Sequence, residues 1–378
     1  MAGATELGLP ANPDYNGATR EGVGVYQRAI HKGRRQSSAV AFLRPARKRK
    51  NLEIRTRSQA SSIVFDGRRA VGVRYIQGGP QGVARAIAAR REIVVCAGAV
   101  NTPRLLQISG VGALPTLRSL GVSVVHELPG VGENLRDHYC IRMVAKAKNT
   151  KTINNMVTGL PLLGQIARWA AGKPSLLAVS PSLISAFWRS SADVEQSDLQ
   201  FTFTPASFRE GVVGLLDNYP GMTVGLWQCR PESLGHVRAV STDPFSKPLV
   251  QPNYLAHETD RRVMISGIRM ARALLHTRAL SHYLGEETAP GAQVVSDDEL
   301  LSFARETGTT VYHLMGTSRM GPRSDPLAVV DARLRPYGLD GLRIADASIM
   351  PSMPSANTNA TTMMIAEKAA DMIIKDRN

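Results

Sequence analysis

A strand pattern over residues 91–96, apolar from Ile93 to Cys96, followed at once by Ala97, Gly98 and Ala99 and then by a helix opener, restricts this 378-residue chain more than any other segment. Ile93, Val94 and Val95 do not alternate with polar residues, so the strand is predicted to be covered on both faces, as strands of parallel sheets are. A parallel strand needs a crossover connection, and a helix is the usual one. Asn101 or Thr102 is the candidate N-cap, with Pro103 at the first helical position. The small residues at 97–99 leave room for a phosphate or ribose to approach the backbone at the strand end. Every strand–turn–helix unit has such an end, so a ligand does not follow from this feature alone.

Elsewhere the patterning supplies a second layer. Residues 51–56 read as a strand and 62–65 as another; Asp66 and Gly67 then turn the chain into 70–75, a hairpin-like meander. After Asp137 and His138 the character changes. Segments 139–148, 199–208, 222–231 and 236–242 read as strands of an antiparallel sheet, accompanied by helices over 158–171 and 258–277. Near residue 300 the chain is expected to return to the first layer through a short strand at 342–345 and a terminal helix over 361–375. The fold class expected is α/β, with a discontinuous domain at 36–138 and 301–378. An α+β domain built on the antiparallel sheet, at 1–35 and 139–300, is inserted into it.

Charge and cysteines narrow the function classes. The 46 basic residues against 31 acidic give a formal charge of +15, which attracts anionic partners in general. The densest cluster, 44–50, lies just after Lys32, Arg34 and Arg35, and no aromatic residue interleaves with it as a base-stacking platform requires. It is read as a solvated basic face, and nucleic acid is not expected as a partner. Cys96, Cys140 and Cys229 stand far apart, form no CxxC and are odd in number, so no disulfide framework is expected. Cys96, inside its apolar run, is expected to be a buried, inert thiol. The N-terminus has neither the basic nor the apolar region of a secretory signal. The most apolar stretch, 157–172, contains Pro161, Gln165 and Arg168 and is too short and polar to span a bilayer. These features point to the cytoplasm and leave peripheral membrane contact open. Eight histidines without HxH or HExxH spacing give no metal site.

Five further segments stand in a fixed order. They are 98–112 (GAVNTPRLLQISGVG), 129–138 (PGVGENLRDH), 312–321 (YHLMGTSRMG), 342–348 (LRIADAS) and 357–368 (NTNATTMMIAEK). Together they resemble the signatures of the glucose–methanol–choline oxidoreductases, in their choline-dehydrogenase-like branch, and the opening residues 16–35 are similar to that branch as well. The resemblance implies FAD as cofactor and a small-molecule alcohol as substrate. Hydride would pass to the flavin, and the reduced flavin would hand its electrons to an acceptor such as oxygen, a quinone or a carrier. The resemblance makes 36–138 and 301–378 a partial doubly wound FAD-binding domain without its N-terminal Rossmann unit, and 1–35 and 139–300 the substrate-binding one.

Residue by residue, the resemblance makes His313 the catalytic base and Asn357 its partner, steadying the developing alkoxide. Read alone, His313 is a core or surface histidine and Asn357 a helix cap, with Asn359 the better cap of the two. The resemblance further implies that Asp346, Ala347, Ala97, Gly98, Asn101 and Thr358 lie along the cofactor and that Ala60 lies near its adenine. Tyr312 would lie beside the substrate. Asp346 read alone is equally a turn residue, and His138 is expected to be structural. The strand–GxGxxG–helix unit with which the family opens is not found in this sequence. Two other readings therefore stand beside the enzyme: a truncated, non-catalytic fragment unable to hold FAD alone, and a basic module for nucleic acid or membranes.

Overall fold

The computed structural model describes residues 1–209 and 215–376. In chain order the principal elements are β1 (Gly22–Val25), β2 (Ser58–Asp66), β3 (Arg69–Gln77), β4 (Val83–Ala88), β5 (Ile93–Val95), α1 (Gly98–Ile108), β6 (Tyr139–Ala147) and α2 (Gly159–Ala170). They continue with β7 (Ile184–Trp188), β8 (Leu199–Thr204), β9 (Gly221–Gln228), α3 (Glu258–Leu275), β10 (Leu284–Ala289), β11 (Leu342–Ile344) and α4 (Thr358–Lys375).

The chain divides into two compact units. One comprises Met1–Ile54, Tyr139–Cys229 and Glu258–Thr309; the other comprises Arg55–His138, Arg230–His257 and Thr310–Asn378. Compared with the sequence-based division, residues 36–54 and 301–309 group with the first unit and 230–257 with the second.

The first unit is built on an antiparallel sheet ordered β1-β7-β8-β9-β6-β10. All of β9 is buried, as a central strand rich in Val, Leu and Trp requires. Helix α3 covers it, turning Val263, Met264, Ile268, Ala271 and Leu275 inward. Val263, Met264, Ile268 and Leu275 each contribute about 1.5–3 kcal/mol on burial. Gly267 permits the close approach, since a Cβ there would stand 2.8 Å from Leu226 Cδ1.

Three of the expected strands are β6, β8 and β9, but 236–242 does not join them. His236–Arg238 instead pairs with Leu249–Gln251 in a ribbon of the second unit. Backbone bonds explain the difference: Val237 N donates to Gly132 O (2.7 Å), and Leu135 and Gly235 exchange bonds of 2.9 and 2.8 Å. These draw the segment onto the 129–138 loop.

In the second unit β2, β3 and β4 form an antiparallel meander. It begins at Ser58, and 51–56 carries no strand. Strand β5 pairs in parallel with β11, Ile93 facing Leu342. The core between these layers contains Ile63, Leu106, Val111, Val330, Ile344 and Ile365. Helix α1 starts at Gly98, ahead of the expected caps, with Ala97 at the cap position and Pro103 inside the helix. A proline there leaves the carbonyl four residues back without its N–H. Thr317 Oγ1 supplies the missing donor, 2.6 Å from Ala99 O.

Two expectations about burial fail here. Val94 is 38% exposed and Cys96 is exposed, because among the described residues β5 has a strand partner only in β11.

Candidate active site

The centre of the site is a buried carboxylate. Asp137 ends the 129–138 loop and is 3% exposed. Its Oδ1 accepts from the His313 backbone N–H at 2.9 Å. Its Oδ2 accepts from the Tyr254 hydroxyl at 2.5 Å and from Thr310 Oγ1. Burial pushes the Asp137 pKa up, and these hydrogen bonds oppose the rise. Two further bonds fix the 310–313 segment: Val311 N donates to His138 O at 3.3 Å, and Tyr312 N to Thr310 Oγ1 at 2.8 Å. The clamp holds Tyr312 at φ +62°, a conformation L-residues adopt only when surrounding bonds impose it. Its ring is 73% exposed.

His313 is thereby held between two polar side chains. Its Nδ1 lies 2.8 Å from Nδ1 of His138, whose side chain is fully buried. The two rings meet edge to face, with centroids 5.0 Å apart. On the other side, His313 Nε2 lies 3.0 Å from Asn357 Nδ2. An amide nitrogen can only donate, so Nε2 accepts; the neutral ring then carries its proton on Nδ1 and donates it to His138. Burial lowers the His313 pKa to about 4, which keeps the imidazole neutral in ordinary buffers.

Asn357 occupies the N-cap position of α4, yet its side chain makes no capping bond. The sequence assigned the cap to Asn359. That residue lies inside the helix, and its Nδ2 faces Met363 Sδ at 3.6 Å. The helix starts three residues earlier than expected, so the amide that reaches His313 sits at its N-cap.

A second cluster joins the ends of β5 and β11. Asp346 is 4% exposed. Its Oδ2 accepts from Gly98 N at 2.9 Å and from Thr102 Oγ1 at 2.6 Å, and its Oδ1 accepts from Ser348 N at 2.8 Å. The carboxylate is spent on binding two loops together. Ala347 O accepts from Gly316 N at 3.1 Å. Ala97 and Asn101 are exposed at the start of α1. Gly98 has φ +81°, and a Cβ built on it would meet no atom within 4 Å, so the strand end opens onto free space. Thr358 is buried, its carbonyl accepting from Thr362 Oγ1 at 2.9 Å. Ala60 stands apart, paired with Tyr75 in the meander beside a bulge.

Of the sequence-predicted residues, the structure therefore joins His313 to Asn357, and Gly98 to Asp346. Asp137, His138, Tyr254, Thr310 and Thr102 act with them and were not singled out for the site. The adjacent Asp137 and His138 closing the 129–138 motif were the available signal; nothing in sequence marks Tyr254 or Thr310.

Comparison with known proteins places the chain in a family. Two family profiles described as GMC oxidoreductase match, the N-terminal one over residues 1–140 and the C-terminal one over 231–366. The chain is 38% identical to an alcohol dehydrogenase [acceptor] of Pseudomonas putida over 372 residues, 98% of this chain and 66% of the relative. It is also 38% identical to an oxygen-dependent choline dehydrogenase of Escherichia coli O45:K1 over 371 residues, 97% of this chain and 65% of the relative. It thus spans just under two thirds of the length of these curated relatives. Among solved structures, pyridoxine 4-oxidase from Mesorbium loti superposes with a TM-score of 0.85 at 28% identity, over 98% of this chain and 68% of that one. Formate oxidase of Aspergillus oryzae RIB40 superposes with a TM-score of 0.90 at 22% identity, over 99% of this chain and 69% of that one, and so shares the fold. On the family profiles and these relatives, the chain belongs to the glucose–methanol–choline (GMC) oxidoreductase family.

Proposed function

We propose that this chain carries the proton-handling half of an FAD-dependent alcohol oxidation, with His313 as base and Asn357 as alkoxide-stabilising partner. The observation that carries the reading is the 3.0 Å approach of His313 Nε2 and Asn357 Nδ2. One oxygen can touch both atoms. A substrate hydroxyl that displaces the amide from Nε2 gives its proton to Nε2, while the freed Asn357 N–H donates to the oxygen as negative charge grows on it. Asp137 fixes the His313 backbone, and His138 accepts the Nδ1 proton, so the lone pair at Nε2 faces the substrate. Family membership and the relatives' names support an alcohol CH–OH donor, with oxygen, a quinone or a protein carrier as final acceptor.

A bound FAD would supply the hydride acceptor. The residues present fit it in part. Ala97, Gly98 and Asn101 at the open start of α1, with Ala347 and Thr358, would line it, Asp346 would hold their loops in place, and Ala60 would approach the adenine. The N-terminal end of α4 beside Asn357 favours negative charge in a ligand. A glycine-rich cradle for the pyrophosphate is not found among the described residues. The exposure of Val94 on β5 and of Cys96 just after it favours a second reading alongside the first: the 378-residue chain by itself holds FAD weakly and is inactive.

The test is single-turnover flavin reduction in FAD-loaded protein that carries a strand–GxGxxG–helix segment ahead of this chain. His313→Ala should slow it by about 10²–10⁴-fold with FAD content unchanged. Reduction at the parental rate would remove His313 from the mechanism.

A further inference from the structure

Helix α2 faces the wrong way for a helix in water. Its inner side is held by polar bonds: Gln165 Oε1 accepts from Leu176 N at 2.9 Å and from Ser175 Oγ at 3.1 Å. Trp169 Nε1 donates to Gly33 O at 3.2 Å. None of its twelve residues is buried. At 100° per residue, Leu160, Leu163, Ile166, Ala167 and Ala170 fall within a sector about 120° wide. All five are exposed, Leu160 at 81% and Leu163 at 61%. The outward sector contains no polar side chain.

The borders of this strip are cationic. The Arg34 guanidinium stacks 5.4 Å from the Trp169 ring, which brings the turn carrying Lys32, Arg34 and Arg35 against the end of α2. Arg168 Nε donates to Pro174 O at 2.7 Å, and Lys173 follows the helix. No Asp or Glu lies between Glu21 and Glu53, nor between Asp137 and Asp193, so both stretches are free of compensating carboxylates. A leucine strip bordered by cations and a boundary tryptophan fits the interface of an anionic bilayer. A second copy of this chain would set like charges against each other, and a nucleic-acid backbone offers the leucines nothing. Among the described residues no helix is long and apolar enough to cross a membrane, so the contact is one of surface.

We propose that α2 is a membrane-docking helix that lays Leu160, Leu163 and Ile166 into the headgroup–acyl boundary of an anionic phospholipid surface, with Lys32, Arg34 and Lys173 on the headgroups. The experiment is co-sedimentation of the 378-residue protein with phosphatidylcholine vesicles, with and without phosphatidylglycerol. Anionic vesicles should bind at least about tenfold more tightly than neutral ones. The double variant Leu160→Glu/Leu163→Glu should lose that binding by a similar factor. Its thermal midpoint should stay unchanged because neither side chain is buried, and Leu163→Gln serves as a milder check on folding. Failure to bind anionic vesicles overturns the proposal, and so does undiminished binding by a folded double variant. A concentration-dependent dimer that the double variant abolishes overturns it too, since a second copy would then cover the strip.

Discussion

His313 and Asp137 are neighbours whose protonation pulls stability in opposite directions. The folded pKa of His313 lies near 4, below its unfolded value of about 6.5. The unfolded chain therefore takes up the proton first, and stability falls as pH drops from about 6.5 to 4. The Asp137 pKa is raised by burial, so its contribution is present at acid pH and declines as pH rises past the ordinary carboxylate range. An NMR titration of the His313 ring should show a midpoint far below that of exposed histidines. In His313→Gln, the stability loss between pH 6.5 and 4 should shrink. Asn357→Ala should cost about 2–4 kcal/mol in the barrier to flavin reduction while hardly moving the thermal midpoint, because the side chain does no capping. A large stability loss with normal turnover would make Asn357 a cap after all. Asp137→Ala behaves differently. It strips acceptors from Tyr254, Thr310 and the His313 N–H together, and should lower unfolding free energy by at least about 1.5–3 kcal/mol in urea titrations.

Among elements, the sequence made legible whatever depended on local chemistry. Strands β6, β8 and β9, helices α2 and α3, and the motifs carrying His313 and Asn357 were all readable, because periodicity and residue type decide them. What tertiary bonds decide was hidden. Pro103 signals a helix start, yet Thr317 takes the carbonyl that the proline leaves free, and α1 runs back to Gly98. Segment 236–242 has the pattern of a sheet strand, yet the 129–138 loop captures it through backbone groups that no side-chain pattern reports. Asn359 is the better cap by local context, but α4 begins where Asn357 reaches His313. The Asp346 tie belongs to this class too, because it joins β11 to α1 across more than two hundred residues. Thr102→Val removes one of its three donors. It should destabilise the protein by about 1–3 kcal/mol, measured by chemical denaturation, with no effect on the His313 titration.

At the scale of the whole molecule, folding and cofactor retention are separable. Strand β11 is fastened from behind by Arg343, which is 1% exposed. Its Nε bonds Glu92 at 2.7 Å, its Nη1 bonds Arg333 O at 3.0 Å, and it also pairs with Asp376 near the end of α4. Burying a guanidinium requires partners of this kind, and the chain itself supplies these three, so β5, β11 and α4 are expected to stay assembled without flavin. The cofactor is another matter. A dinucleotide is gripped chiefly where its pyrophosphate meets a helix N-terminus across a glycine-rich turn. Here the start of α1 offers only an open edge, with the Asp346 carboxylate already committed to Gly98 and Thr102. We therefore expect the 378-residue chain, incubated with excess FAD and passed through gel filtration, to elute folded but colourless and without alcohol-oxidising activity. Fusing a strand–GxGxxG–helix segment ahead of it, or adding that segment in trans, should yield a yellow protein whose flavin is reduced by alcohols in a His313-dependent way. Stoichiometric flavin on the unfused chain would show that the α1–α4 edge holds the cofactor without a glycine-rich cradle.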